Sequence, residues 1–286
     1  MIITSMVIRY NYVMIISSWN IESRLSDIGS KSRGSSNDII KFISLINSDI
    51  ILLLEAHHEI SLNKKISQRL VELGYKLFSV SYDDDMEFRS DSIESRSSLM
   101  LLSKLPIKKF EVIRLGNVRN ALSAIAYDEM TEKEIRLIGI HLDDRSEITR
   151  VKQTRDLINI INSSSLPTIL LGDFNAMHGE DLWPAKFLKT RTMKIISNFV
   201  LPNLSSKAIE MASGKTLKLI ESNTDLLDSD LCHRPTATPK MRGHQWLPSI
   251  RLIQIDHIYT SKSIIIKGFK VHKDGGSDHR AISIII

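Results

Sequence analysis

The stretch Leu170-Leu171-Gly172-Asp173-Phe174-Asn175 places a carboxylate and a carboxamide directly after an apolar run. A short run of Ile and Leu that stops at a glycine is typical of a buried strand. Because side chains two residues apart on an extended segment point to the same side, we expect Asp173 and Asn175 to face one point beyond that strand. A carboxylate can deprotonate water and an amide can donate to a developing oxyanion, so the pattern predicts either a hydrolytic site or a simple turn.

Five more fragments put a polar residue at the end of a strand-like apolar run. They are Ser18-Trp19-Asn20-Ile21, Leu53-Leu54-Glu55, Gly139-Ile140-His141-Leu142, Ile255-Asp256-His257-Ile258 and Gly276-Ser277-Asp278-His279. Taken in order with the first stretch, they resemble the endonuclease/exonuclease/phosphatase superfamily from about Ser18 to Ile286. That superfamily includes deoxyribonucleases, abasic-site endonucleases, inositol polyphosphate phosphatases, sphingomyelinases and deadenylases. The resemblance implies a hydrolase of phosphoric esters.

The composition is that of a globular enzyme from a reducing compartment. A chain of 286 residues with 42% hydrophobic and 25% charged residues can bury a sizeable core. One cysteine, Cys232, excludes an internal disulfide. The apolar start, residues 1–16, lacks a basic leading region and a cleavage site, and no apolar run approaches the ~20 residues that span a bilayer. We therefore expect a cytoplasmic protein with no membrane span.

Short apolar runs predict nine strands and three helices. The strands are Val13–Ser18, Ile50–Leu54, Tyr75–Val80, Leu99–Leu102, Leu122–Tyr127, Ile135–Ile140, Thr168–Leu171, Ile255–Thr260 and Ala281–Ile286. The helices are Asn37–Asn47 with Asn37 as N-cap, Ile60–Leu73, and Glu147–Asn162 with Ile148, Val151, Ile158 and Ile161 on one apolar stripe. Two segments, Tyr82–Ser98 and Lys207–Met241, are expected to be irregular.

The predicted elements indicate a layered α/β protein, but periodicity does not distinguish among α/β architectures. The resemblance implies a four-layer α/β/β/α sandwich of two packed, mainly antiparallel sheets with outer helices. Residues 14–286 would form one catalytic domain, and residues 1–13 an extension of unknown role. We expect a monomer without an obligate protein partner.

Glu55 follows the buried run Ile50–Leu54, so its carboxylate emerges at a strand end, where it could bind a hard cation or be solvated. Mg²⁺ prefers oxygen ligands and keeps several waters, so one or two carboxylates suffice. By resemblance, Glu55 is the main metal ligand, Asn20 helps to position metal or phosphate, and Asp278 belongs to the metal site. The expected ion is Mg²⁺, with Mn²⁺ as an alternative.

The resemblance also assigns the acid–base groups. His279 would contact the scissile phosphate and pair with Asp256, and such pairing raises the pKa of a histidine and fixes its tautomer. His141 would aid the leaving group or hold a nonbridging oxygen, with Glu94 as a candidate acidic partner. Asp173 would orient the attacking water, with Asn175 holding that water or the phosphate.

Two positions depart from the family pattern beside the metal ligand. Leu54 stands where the family usually has Gln, and His57 stands two residues after Glu55, where a basic residue often follows. We assign His57, Arg119 and Asn175 to substrate binding. Arg150 and Gln153 either contact substrate or fix local packing.

Two histidine motifs do not predict zinc. His57 and His58 are adjacent on an extended segment and point to opposite faces, so they are not expected to share an ion. Cys232-His233 has no partner at the spacing of a zinc site.

Charge is divided unevenly along the chain. Residues 186–286 contain 16 Lys/Arg and 8 Asp/Glu, a net of +8, whereas residues 1–185 contain 22 and 25, a net of −3. A basic third favours a polyanionic substrate. The sequence thus predicts a Mg²⁺-dependent phosphodiesterase, first of all an endo- or exonuclease acting on DNA or RNA. The alternatives are a phosphomonoesterase or lipid phosphodiesterase of the inositol phosphate or sphingomyelin type, and an inactive binding module, against which the intact set of polar residues argues.

Overall fold

The protein is described here by a computed structural model, which covers residues 13–21, 36–57, 64–81, 97–116, 119–178, 211–237, 253–273 and 275–286. These residues contain twelve strands in two six-stranded sheets. The strands are β1 Ile15–Asn20, β2 Ile50–His57, β3 Lys76–Ser81, β4 Ser97–Ser103, β5 Ile107–Leu115, β6 Arg119–Asp128, β7 Lys133–His141, β8 Thr168–Asp173, β9 Leu226–Asp228, β10 Asp256–Ser261, β11 Gly268–Val271 and β12 Ile282–Ile285. The helices are α1 Ser36–Ile46, α2 Lys64–Glu72, α3 Glu147–Asn162 and α4 Lys215–Asn223.

The two sheets have similar designs. The first has the order β11-β12-β1-β2-β4-β3 and the second β5-β6-β7-β8-β10-β9. The pair β1–β2 and the pair β7–β8 are parallel, and the remaining neighbours are antiparallel. Within each sheet, the two central parallel strands therefore end on the same side.

Alternation along the strands builds the layers. On β2, Leu52 packs into the core between the sheets, whereas Ile51 and Leu53 pack with α1 and α2 on the outer face. On β8, Leu171 lies between the sheets and Leu170 lies with α3 and α4. Since side chains alternate across a strand, each buried strand serves two cores, and the four-layer sandwich is confirmed.

All nine predicted strands are present, but three strands were not predicted. The segment Lys207–Met241 was expected to be irregular, and this is wrong because it contains α4 and β9. The edge strand β5 and the four-residue strand β11 were also missed. α1 begins at Ser36, so Asn37 is not its N-cap.

The bounds of α3 agree with the prediction, but its predicted apolar stripe is wrong at one end. Ile148 is 73% exposed, and the buried face carries Arg150, Gln153 and Leu157 instead. The helix is capped by Ser146, whose side chain accepts a hydrogen bond from the Thr149 N–H.

Some predictions fall on residues that the structure does not describe. The extension 1–13 lies outside the described residues except for residue 13, and so do the first residues of the helix predicted at 60–73 and residues 82–96 of the predicted loop. In the described part of the chain, no helix has the length and apolar character required to cross a bilayer.

Candidate active site

Polar side chains gather at one end of both sheets. β1, β2, β7 and β8 finish at this end, and β10 and β12 start there because they run antiparallel to β8 and β1. The residues brought together are Asn20, Glu55, His141, Asp173, Asp256 and His279. Six of the predicted residues, from both sheets, thus form one cluster.

Asp173 is the centre of this cluster. Its Oδ2 lies 3.3 Å from Nδ2 of Asn20, 3.6 Å from Nε2 of His141 and 3.9 Å from Nε2 of His279. Its Oδ1 accepts a hydrogen bond of 2.8 Å from the Asn175 N–H. The residue is 2% exposed, so one buried carboxylate oxygen faces donors from both sheets.

His279 is paired with Asp256. Nδ1 of His279 donates to Oδ2 of Asp256 at 2.8 Å and lies 3.1 Å from the other oxygen. Burial by itself would lower the pKa of His279, but Asp256, with Asp173 and Asp278 adding to it, raises that pKa well above its usual value. His279 is therefore an imidazolium at neutral pH, with Nε2 directed towards Asp173.

Burial raises the pKa of Asp173 to about 7, and the negative charge of Asp256 acts in the same direction. His279 and the hydrogen bond from the Asn175 N–H oppose this increase. A carboxyl group that gains and loses its proton near neutral pH is suited to accept a proton from water. Asp173 thus has the burial and the pKa of a general base.

Glu55 lies within β2, whereas the sequence predicted that it follows the strand. The pairing of β2 with β4 shifts register between Leu53 and Ala56, which marks a bulge, and Glu55 has a φ of 53° there. Bulges re-aim side chains next to active sites, and left-handed non-glycine residues concentrate at functional positions. Asn20 donates to Oε1 of Glu55 at 3.1 Å, so the bulged carboxylate is connected to Asp173 through one amide.

The backbone at Asn175 is not extended, so the prediction that the side chains of Asp173 and Asn175 point to the same side of one strand is wrong. Its φ is 48°, and the chain turns immediately after β8. Its Nδ2 donates to the Leu142 carbonyl at 3.1 Å, which ties the β8 turn to the segment that follows His141. The role of Asn175 toward water or phosphate stays a prediction.

Two residues outside the predicted set fix the loop before β12. Ser277 Oγ donates to the Asn20 carbonyl at 2.7 Å and accepts from the His279 N–H at 3.2 Å. Trp19 Nε1 donates to the His279 carbonyl at 3.3 Å. Both belong to the quoted motif fragments. The strand-end pattern indicates the polar residue that could take part in chemistry and does not indicate the neighbours that hold it in place. Asp278 is partly exposed beside this loop.

The predicted basic residues lie around the segment after His141. Nη2 of Arg119 is 3.6 Å from Oδ1 of Asp144. Arg150 is fully buried, pairs with Glu147 at 2.8 Å and donates to the Asp143 carbonyl at 2.9 Å.

Gln153 accepts from the Asp143 N–H at 2.9 Å. These contacts favour the packing interpretation for Arg150 and Gln153. The side chain of His57 and all of Glu94 lie outside the described residues.

The donor set fits a hard divalent cation. Oxygen atoms from Glu55, Asp173, Asp256 and Asp278 share one end of the sandwich, and, after burial, the charges of Asp256 and Glu55 contribute to the raised pKa of Asp173. One potential ligand atom each from Asp173, Asp256 and His279 lies within 4.8 Å of the others. Carboxylate and amide oxygens are the ligands that Mg²⁺ prefers.

The comparisons with known proteins agree with this geometry. A sequence model described as the Endonuclease/Exonuclease/phosphatase family matches residues 17–279. A search of the curated proteins finds no significant match.

Solved structures with the same fold include the human Nocturnin catalytic domain (TM-score 0.59, 16% identity, 96% of this chain and 93% of that one). Others are a mannosyl-6-phosphatase from Bacteroides thetaiotaomicron (0.60, 16%, 96% and 99%) and ANGEL2, a 2′,3′-cyclic phosphatase (0.62, 15%, 96% and 95%). At these identities the likeness shows the fold alone.

Proposed function

We propose that this chain, which belongs to the endonuclease/exonuclease/phosphatase family, is a Mg²⁺-dependent phosphodiesterase with a nucleic acid as its substrate. Members of that family hydrolyse phosphate esters. The observation that carries the proposal is the placement of Asp173, a buried carboxylate whose Oδ2 faces Asn20, His141 and His279 at 3.3 to 3.9 Å.

Each group then has one task in hydrolysis. Asp173 accepts the proton of the attacking water, because its pKa of about 7 allows it to be ionised and still basic at neutral pH. The His279 imidazolium, held by Asp256, donates through Nε2 to a nonbridging phosphate oxygen. His141, whose Nε2 lies 3.6 Å from Asp173 Oδ2, would donate to the leaving oxygen or to a second nonbridging oxygen.

Glu55, Asn20 and Asp278 are the residues that would hold Mg²⁺, which when bound would neutralise charge on the phosphate. The bulge at Glu55 supports this assignment, since a strained backbone persists where the surrounding structure enforces it.

The charge of the chain supports a polyanionic substrate. Residues 186–286 carry a net +8, and two of their exposed lysines, Lys270 and Lys273, lie on or just after β11, near the end of the sheet where the site is formed. A small phosphate ester could occupy only the central cluster, whereas a nucleic acid would extend over these lysines.

The first test is a substrate panel with a matched pair of variants. Single-stranded and duplex DNA, RNA, inositol phosphates, sphingomyelin and sugar phosphates are incubated with Mg²⁺ and the wild type, Glu55→Gln or Glu72→Gln, a change at an exposed site on α2. We expect Mg²⁺-dependent cleavage of DNA or RNA by the wild type and Glu72→Gln, and its loss in Glu55→Gln. Cleavage of a lipid or small ester alone would replace the nucleic-acid proposal with the alternative, and full activity of Glu55→Gln would refute the metal assignment.

The second test measures the contribution of the lysines through salt. In the Glu55→Gln background, DNA affinity should fall with salt with a log–log slope of roughly 0.9 per phosphate contact. The pair Lys270→Glu/Lys273→Glu should flatten this slope. The control pair Lys262→Glu/Lys267→Glu, at the opposite end of the sheets, should leave it unchanged. Equal effects of the two pairs, or none, would contradict a nucleic-acid track at the site.

A further inference from the structure

A second cluster of metal-ligating side chains lies beside the candidate active site, on the other face of the second sheet. His257 follows Asp256 on β10 and therefore points to the opposite face. There Nδ1 of His257 lies 2.9 Å from Oδ2 of Asp228, and Nε2 of His178 lies 3.0 Å from the same oxygen. Hydrolysis as proposed above makes no use of these three residues.

Both ring nitrogens of His257 face hydrogen-bond acceptors. Its Nδ1 faces the Asp228 carboxylate, and its Nε2 lies 3.1 Å from the Ala176 carbonyl oxygen. Both partners are acceptors, so a neutral imidazole, with a single N–H, leaves one nitrogen lone pair against an oxygen lone pair. The side chain is fully buried, so water does not resolve this conflict. This conflict is removed either by a second proton between Nδ1 and Oδ2 or by a metal ion that binds both atoms.

The outer contacts of the cluster match those of metal-binding histidines. Such a histidine directs its free ring nitrogen to a carboxylate or a backbone carbonyl, which fixes the ring. His257 does so through the Ala176 carbonyl, and His178 places Nδ1 3.7 Å from Oε1 of Glu221. Asp228 Oδ1 accepts the Asp230 N–H at 2.9 Å, which leaves Oδ2 directed at the two histidines.

The ring of His178 is further held by His233, which stacks on it with centroids 4.3 Å apart and an interplanar angle of 11°. The sequence placed His233 near no metal partner, and only the fold brings it to this cluster. The orientation of His178 is therefore fixed from two sides.

We propose that His178 Nε2, Asp228 Oδ2 and His257 Nδ1 form a second metal site, for a divalent ion of the zinc class. Two imidazoles and one carboxylate suit zinc, whereas Mg²⁺ demands mainly oxygen ligands. Ligand atoms held tetrahedrally at about 2.0–2.2 Å from zinc lie roughly 3.3 Å apart. The observed separations from Oδ2 are within a few tenths of an ångström of that spacing, and all three atoms lie within 4.8 Å of one another.

The site is reachable from one side. The His178 side chain is 13% exposed and the neighbouring Glu221 side chain 37%, while Asp228 and His257 are nearly or fully buried. The exposed edge beside Glu221 offers a path for an ion, and the fourth coordination position would be open to solvent there. Three protein ligands with one open position are the arrangement of many catalytic zinc sites, but this set faces away from the candidate active site, which favours a structural role.

The ion would stabilise the turn that carries Asp173. His257 binds the Ala176 carbonyl, and its ring packs edge-on against Phe174 with centroids 5.2 Å apart. The ion would join β9, β10 and the turn after β8. It would thereby hold the backbone around Phe174 in place without contacting the substrate.

The test is metal stoichiometry and does not depend on the reaction. Protein stripped with a chelator is titrated with Zn²⁺ in millimolar Mg²⁺, which fills oxygen-rich sites, and Co²⁺ serves as a spectroscopic probe of nitrogen ligation. We compare the wild type, His178→Gln, Asp228→Asn and Glu221→Gln with the control His272→Gln, which changes a histidine that follows β11 of the other sheet. His178→Gln changes a partly exposed side chain and is the informative variant if Asp228→Asn fails to fold.

We expect one tightly bound Zn²⁺ in the wild type and in His272→Gln. Affinity should fall at least ~100-fold in His178→Gln and about 10-fold in Glu221→Gln, which removes only an outer partner. A wild type without tight Zn²⁺, or His178→Gln with unchanged affinity and stoichiometry, would overturn the proposal and leave a doubly protonated His257 as the solution to the buried contacts.

Discussion

Replacing Asp173 by Asn should separate activity from stability. The change removes the proton acceptor but keeps the shape of the side chain, so hydrolysis should fall by ~10²–10⁴-fold, the usual loss for a positioned acid–base group. Binding of substrate should hardly change, because His279, His141 and the metal ligands hold the phosphate.

The free energy of unfolding should change in the opposite direction. The pKa of Asp173 is raised from 3.8 to about 7, which at 1.36 kcal/mol per unit means that ionising it costs the folded state about 4 kcal/mol. Asn does not ionise and avoids this cost. It loses the negative Oδ2, which accepts a hydrogen bond from Asn20 and faces His141 and His279 at 3.6 and 3.9 Å, at a cost of about 2 kcal/mol in total. The metal-free variant should therefore be about 2 kcal/mol more stable at pH 8, with a melting temperature higher by about 5 °C.

The pH dependence of this stability difference shows whether ionisation of Asp173 is its cause. Because the folded-state pKa lies above the unfolded value, the wild type loses stability as the pH rises from about 4 to about 7. The variant lacks that loss, so it should be less stable than the wild type by about 2 kcal/mol near pH 4, overtake it as the pH rises towards 7, and keep a constant advantage of about 2 kcal/mol above that pH. Thermal unfolding in EDTA across this range measures the gap, and Asp225→Asn, an exposed carboxylate, is the control.

Two results would refute this reasoning. An Asp173→Asn protein that is less stable than the wild type at every pH would show that burial and the neighbouring carboxylates do not destabilise the ionised form of Asp173. A variant that binds substrate poorly but turns it over at the normal rate would show that Asp173 is a binding group and not a base.

Two further changes test other parts of the molecule. Gly172→Ala should prevent folding or sharply lower the melting temperature, because Gly172 has a φ of 145° and an added Cβ would lie 1.9 Å from the Ile140 carbonyl oxygen. The control Gly116→Ala should be tolerated far better, because Gly116 also has a positive φ but no atom lies near the new Cβ. Burial lowers the pKa of His272 to about 4, so the wild type should lose stability as the pH falls from 6.5 towards 4, and urea unfolding of His272→Gln should lack that slope.

The sequence predicted those parts of the fold that depend on buried apolar strands. Runs such as Ile50–Leu54 have few alternatives to a central strand, and the polar residue after each run marks a strand end. β5 is different, because it is an edge strand with half of its residues exposed and charged, and β9 is only three residues long. In both, pairing with a neighbouring strand determines the structure, and a linear sequence does not show that pairing.

Helix α3 shows the same limit from inside the core. Its inner face carries Arg150 and Gln153, which are buried because they bind the backbone of Asp143. A prediction from hydrophobic periodicity places Ile148 inward instead, although that residue is largely exposed. Polar groups paired in the interior have no signature in an apolar pattern.

The same limit applies to the sites. Asn20, Glu55, His141, Asp173, Asp256 and His279 were found by their position after apolar runs, and the structure brings these six together. His178, Asp228 and His257 form an equally compact cluster, yet they come from a turn, a three-residue strand and the outward face of β10. Nothing in their spacing indicates that they meet.

The division of the cluster between two sheets affects when the protein can act during its synthesis. The strand β1 pairs with β12, at the other end of the described chain, and Asp173 on β8 meets Asp256 and His279 only after later segments have been made. A growing chain that has reached β8 already contains Asp173 with Asn20 and His141, but it lacks Asp256 and His279. The complete cluster therefore forms only after translation has passed His279, so the proposed activity would arise only in a nearly finished chain.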